Sequence, residues 1–120
     1  MTDSYLDWVA EDLKKIDQAY AKLEVATGDR KEEMEAVFEI SHDIKGQGGT
    51  FGYDLMTAIA TELCRLIEKA EKIGDEEVEV VKLHIAALKL VIDEDMKGQA
   101  EKAGKKMLAG LQQVCDKLLA

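Results

Sequence analysis

The chain of 120 residues contains no proline and few aromatic side chains, 5% in all. Without the residue that most often breaks a helix, and with little of what favours strands, it reads as helical throughout. Positive charge is also scarce. Sixteen Lys and Arg stand against 25 Asp and Glu, a formal charge of −9. No stretch gathers the basic side chains that tracking nucleic-acid phosphates requires. Apolar runs last only a few residues, too short for a bilayer, and Met1-Thr2-Asp3-Ser4 lacks the basic and apolar regions of a signal peptide. The two cysteines, Cys64 and Cys115, have no metal-binding spacing and read as reduced thiols packed like small apolar groups. With 47% hydrophobic and 34% charged residues, the composition is that of an acidic, cytoplasmic helical protein rather than a disordered chain.

Apolar residues recur at helical spacing in five segments. Leu6, Val9, Leu13, Ile16, Tyr20 and Leu23 line a segment from about 4 to 26, with Asp3 or Ser4 placed to cap it and Thr27-Gly28 to end it. Asp29 introduces a second, 30–51, with Val37, Ile40, Ile44 and Phe51 inward. After Gly52, Asp54 caps a third, 54–72, built on Met56, Ile59, Ala60, Leu63, Ile67 and Ala70. Gly74-Asp75 separates a fourth, 76–96, carrying Val78, Val81, Ile85, Leu88 and Ile92. Lys97-Gly98 precedes a fifth, about 100–119, with Met107, Leu108, Leu111, Val114, Cys115 and Leu118. Connections this short set consecutive helices antiparallel. The pattern predicts an all-α fold, an up-down-up-down antiparallel four-helix bundle with an additional C-terminal helix, as one domain over 1–120.

A bundle has no need of the stretch Ser41-His42-Asp43-Ile44-Lys45-Gly46-Gln47-Gly48-Gly49-Thr50-Phe51-Gly52. At about 100° per residue, His42 points away from the inner face set by Ile40, Ile44 and Phe51, and Lys45, Gly46 and Gly49 share its outer face. A glycine inside a helix costs roughly 1 kcal/mol relative to alanine. Gly46 and Gly49 clear space on either side of the imidazole for another protein to approach. Lys45 sets a cation one turn away, suited to the charge of a phosphoryl group. Gly48-Gly49 also fits a helix C-cap, which would end the second helix early and still leave His42 on the surface. An exposed histidine or lysine alone is an ordinary surface residue; the combination is the signal.

With Gly52 ten residues after the histidine and an amphipathic helix following, His42-x-x-Lys45-Gly46 resembles the motif of histidine-containing phosphotransfer (HPt) domains. Gly-Thr-Phe-Gly-Tyr at 49–53 is most like the N-terminal phosphotransfer domain of chemotaxis-type histidine kinases. The resemblance implies a phosphocarrier of a two-component phosphorelay rather than an enzyme in its own right. His42 would be the phosphoacceptor, Lys45 would assist the phosphoryl group and Gly46 would give it room. The implied partners are a response-regulator receiver domain and a histidine kinase, met by a monomer. Phosphoryl transfer depends on positioning and charge neutralisation, so the chain is expected to need no cofactor of its own, with Mg²⁺ held by the receiver or kinase. Phe38, Gly49, Thr61 and Arg65 are the expected partner-binding residues. Family members often carry Gln or Glu where this chain has Cys64, and chemotaxis kinases a histidine where it has Thr61. The ring is therefore expected to be oriented otherwise, by Thr61, Glu62 or Arg65, or to be left loose.

Two rival readings and one variant compete with the free-standing carrier. Glu39-Ile40-Ser41-His42 has Glu-x-x-His spacing, but a di-iron bundle needs two such strings and His84 has Val81 at i−3. A docking module without chemistry fits the composition equally well. The variant is an N-terminal phosphotransfer domain cut from a larger kinase. His84 lacks an accompanying lysine and glycines and reads as a half-buried structural histidine, while Trp8 and Tyr5 fit either core packing or an interface.

Overall fold

A computed structural model of the chain describes residues 2–48, 53–94, 96 and 101–120, and the side chains of these apart from 2–5 and 101. The described residues form five helices and no strand: α1 (Thr2–Val25), α2 (Lys31–Gly48), α3 (Asp54–Lys69), α4 (Asp75–Asp93) and α5 (Glu101–Leu119). Helix α1 packs on α2 and α4, and α3 packs on α2 and α4 in turn, while α5 lies against α3 and α4.

The apolar stripes become the core. Val9, Leu13, Ile16 and Leu23 of α1 meet Met34, Val37 and Ile44 of α2, Met56, Ile59 and Leu63 of α3, and Val78, Val81, Ile85 and Leu88 of α4 in one cluster. Helix α3 is buried over a wide arc, adding Leu55, Leu66, Cys64 and Glu62, because α2, α4 and α5 all pack on it. Helix α4 carries a second stripe that the first pattern overshadowed: Val80, His84, Ala87 and Val91 are buried as well. That stripe faces α5, whose Leu111 and Cys115 join the same core. A Cβ at Gly104 would overlap the end of the Leu55 side chain, which marks how closely α5 lies against α3.

Helix ends differ from the expected ones in detail. Thr2 already lies in α1, so Asp3 and Ser4 are inside the helix rather than capping it. Asp29 accepts from the Lys31 N–H (3.1 Å), but Arg30 intervenes, in the left-handed region at φ 63°. Its guanidinium donates to Ala26 O, Ile73 O and Asp75 Oδ1, tying the α1–α2 and α3–α4 connections together. Tyr53, not Asp54, is the residue before α3, and Asp54 is its first residue, a negative charge favoured at that end. Helix α3 stops at Lys69 and α4 at Asp93, short of the expected 72 and 96. At α4, Glu77 reaches back to accept from the Gly74 N–H at 2.7 Å. The second helix, expected to reach Phe51, has Gly48 as its last described residue; residues 49–52 and Lys97-Gly98 lie outside the described ones. No described helix is long and apolar enough to cross a membrane.

Candidate functional site

The buried stripe of α2 is Met34, Val37, Ser41, Ile44 and Gly48, three and four apart. Ser41 takes the place expected of Ile40, which is only half-buried. Its hydroxyl is satisfied by donating to Val37 O at 2.8 Å, a local bond that lets a serine sit in a core. With Ser41 inward, its neighbour His42 turns out, and Lys45 and Gly46 are exposed with it. Phe38, one turn earlier and half-buried, holds its ring 6.2 Å from the imidazole, tilted by 35°. Phe38, Glu39, His42 and Asp43 border a shallow surface depression. Among the described residues, neither ring nitrogen of His42 is hydrogen-bonded, and the Lys45 ammonium pairs with no carboxylate.

The glycines of this stretch serve different ends. A Cβ at Gly46 would meet nothing within 4 Å, whereas one at Gly48 would lie 2.8 Å from Thr57 Oγ1 and 2.9 Å from both Met56 Cβ and Tyr53 O. Gly48 is therefore where α3 comes against α2, a role its sequence context did not reveal. The Tyr53 N–H donates to Gly48 O (2.9 Å) and the Thr57 hydroxyl to Lys45 O (3.1 Å) at the same junction. Gly49 lies outside the described residues.

Of the α3 residues expected to orient the ring, none reaches His42 with a hydrogen bond. Thr61 is exposed and donates to Thr57 O of its own helix at 2.6 Å. Cys64 is buried, its thiol pushed upward by burial and drawn back by the charge of Lys45, so the two lie close enough to interact. Arg65 is engaged elsewhere: its guanidinium donates to Glu62 Oε1 and to Asp116 Oδ1 of α5, both at 2.8 Å. An arginine one residue after Cys64 points a further 100° around α3, and the carboxylate that claims it belongs to a helix remote in sequence.

Arg65 and Glu62 adjoin a second polar cluster. His84, expected half-buried, is wholly inside. Its Nδ1 lies 2.8 Å from Val80 O. A carbonyl only accepts, so this bond puts the ring proton on Nδ1 and leaves Nε2 to accept from the Cys115 thiol, 3.5 Å away. Burial lowers the pKa of His84 and pushes that of Cys115 up to about 11, so both are held neutral. Both cysteines are free and buried. Trp8 is largely exposed, and the side chain of Tyr5 lies outside the described ones. No group of three or more His, Cys, Asp or Glu among the described residues is placed to hold a metal ion.

The Hpt domain family model matches residues 1–97, which span α1 to α4 and the whole His42 stretch. The chain belongs to the Hpt domain family. Neither a curated protein nor a solved structure matches it. Hpt domains are phosphocarrier modules that meet histidine kinases and receiver domains in phosphorelays, and the expected resemblance holds at this level. Helix α5 lies beyond the matched residues. In this Hpt domain it is joined to the rest through Leu111, the His84–Cys115 contact and the Arg65–Asp116 pair.

Proposed function

We propose that this Hpt domain accepts and donates a phosphoryl group on His42, between a receiver-domain aspartate and a further receiver or kinase partner. The observation that carries the reading is an exposed imidazole and, one helical turn away, an ammonium, neither of them hydrogen-bonded or ion-paired among the described residues. In the forward step, Nε2 attacks phosphorus in line. The N–P bond forms as the P–O bond to the donor carboxylate breaks, the carboxylate leaves with the electron pair, and the Nδ1 proton passes to water. Lys45 offsets the charge on the phosphoryl oxygens. The open space at Gly46 and the half-buried ring of Phe38 are the surface against which the partner docks, and the partner brings Mg²⁺. Beneath the site, the packing of α1 on α2 and α4 and of α3 on α2 and α4 supports an up-down-up-down bundle, on which α5 rests as a fifth helix.

The test mixes the protein with phosphorylated receiver domains and Mg²⁺ and follows intact mass. The protein gains one acid-labile, base-stable phosphoryl group; His42→Gln gains none while its helical circular dichroism is unchanged. Lys45→Ala slows transfer by about tenfold, the scale of one charge-assisted contact. Receiver binding without any transfer to the unaltered protein would make it a docking module instead.

A further inference from the structure

The α2–α3 junction bears on the site through a residue that the phosphotransfer motif does not include. Lys45 and Gly46 lie in the last turn of α2, where helices fray most readily. The Thr57 hydroxyl, from the first turn of α3, donates to the Lys45 carbonyl at 3.1 Å. A carbonyl oxygen has two acceptor positions, so this bond adds to whatever the helix itself provides. The close approach depends on Gly48, since any Cβ there would lie 2.8 Å from Thr57 Oγ1. The Tyr53 N–H, just before α3, bonds Gly48 O at 2.9 Å, at the last described residue of α2. Thr57 is held in turn, because its own carbonyl accepts from Thr61 at 2.6 Å.

We infer that Thr57 is a positioning residue for phosphoryl transfer, acting through Lys45. Its hydroxyl fixes the turn whose side chain supplies the ammonium, so that the cation stands one turn from His42 before a partner arrives. Thr57 touches no reacting atom. Pre-setting a charge rather than gathering it during the reaction lowers the barrier to transfer and leaves partner affinity unchanged.

The inference rests on the phosphotransfer reading, and a double-mutant cycle separates the two. Single-turnover transfer from a phosphorylated receiver is measured over a range of receiver concentrations for the unaltered protein, Thr57→Val, Thr57→Ser, Lys45→Ala and Thr57→Val with Lys45→Ala. Valine keeps the shape and removes the hydroxyl. The maximal rate of Thr57→Val falls roughly three- to tenfold, the scale of one hydrogen bond, with the half-saturating receiver concentration unchanged. Thr57→Ser restores most of the rate. In the Lys45→Ala background, Thr57→Val has no further effect, because the group it positions is gone. An unchanged maximal rate in Thr57→Val, a full additional loss in the Lys45→Ala background, or a change only in half-saturation would overturn the inference while leaving His42 as the acceptor. No labelling of the unaltered protein would overturn the functional reading itself.

Discussion

The two histidines of this Hpt domain occupy opposite environments. His84 is wholly buried, its nitrogens committed to Val80 O and facing Cys115 Sγ, with Glu62 and Arg65 near enough to act on it. His42 is exposed, and among the described residues only the Phe38 ring keeps it company. One imidazole has both nitrogens engaged, one within α4 and one across to α5; the other, among the described residues, has neither hydrogen-bonded. A side chain whose polar atoms are satisfied internally holds a fold together, and one left unsatisfied at the surface is available to a partner.

Exchanging the losses tests that contrast most strongly. His42→Ala abolishes phosphoryl labelling and moves stability in urea by no more than about 0.5 kcal/mol. His84→Ala costs about 2–4 kcal/mol, as a buried ring is lost and the Cys115 thiol and Val80 carbonyl lose a partner. Below its unfolding midpoint it labels normally. Comparable destabilisation by both would erase the distinction.

The two described glycines of α2 divide the same way, with smaller effects. Gly48→Ala costs about 1–3 kcal/mol, because Met56 Cβ and Tyr53 O are too close to yield. Gly46→Ala meets open space and stabilises the helix by up to about 1 kcal/mol, yet slows transfer by narrowing the approach to His42. Thermal unfolding and labelling rates on the same samples check both signs, and a stabilised Gly46→Ala that transfers at the full rate removes Gly46 from the site.

The finest test is of pH. Burial holds the folded pKa of His84 below its ordinary value of 6.5, so the unfolded chain takes up this proton first as pH falls. The stability His84 contributes is complete above about pH 6.5 and is lost below it, by at most about 1.4 kcal/mol per pH unit. Urea midpoints between pH 7.5 and 5.5 decline for the unaltered protein, and the decline flattens in His84→Gln. An unchanged slope in that variant would mean that another group carries the dependence.

The helices and their inward stripes were legible because a period near 3.6 is written in one segment at a time. So was the outward His42 with Lys45 and Gly46, since a single helix fixes which of its own residues share a face. What failed depended on a second element. Arg65 was expected near His42, but Asp116, far along the chain, claims it on the α5 side. The burial of His84 follows from α5 covering the second stripe of α4, a stripe of Val80, Ala87 and Val91 that has no meaning until something packs on it. Gly46 and Gly48 look alike in sequence and differ only in what stands opposite. Ser41, by contrast, was given no inward place, though the bond to Val37 O that satisfies it lies within α2 itself.

His42 stands on the side of a helix, at the edge of a shallow depression, so a phosphoryl group on it, as proposed, would face bulk solvent. Among the described residues, none covers the outward face of His42. On the proposed function, how long the charged state lasts between encounters would be set by the hydrolytic resistance of the N–P bond, with shelter while a partner covers the site. Signal lifetime in such a relay would become a matter of how often the carrier meets its partners.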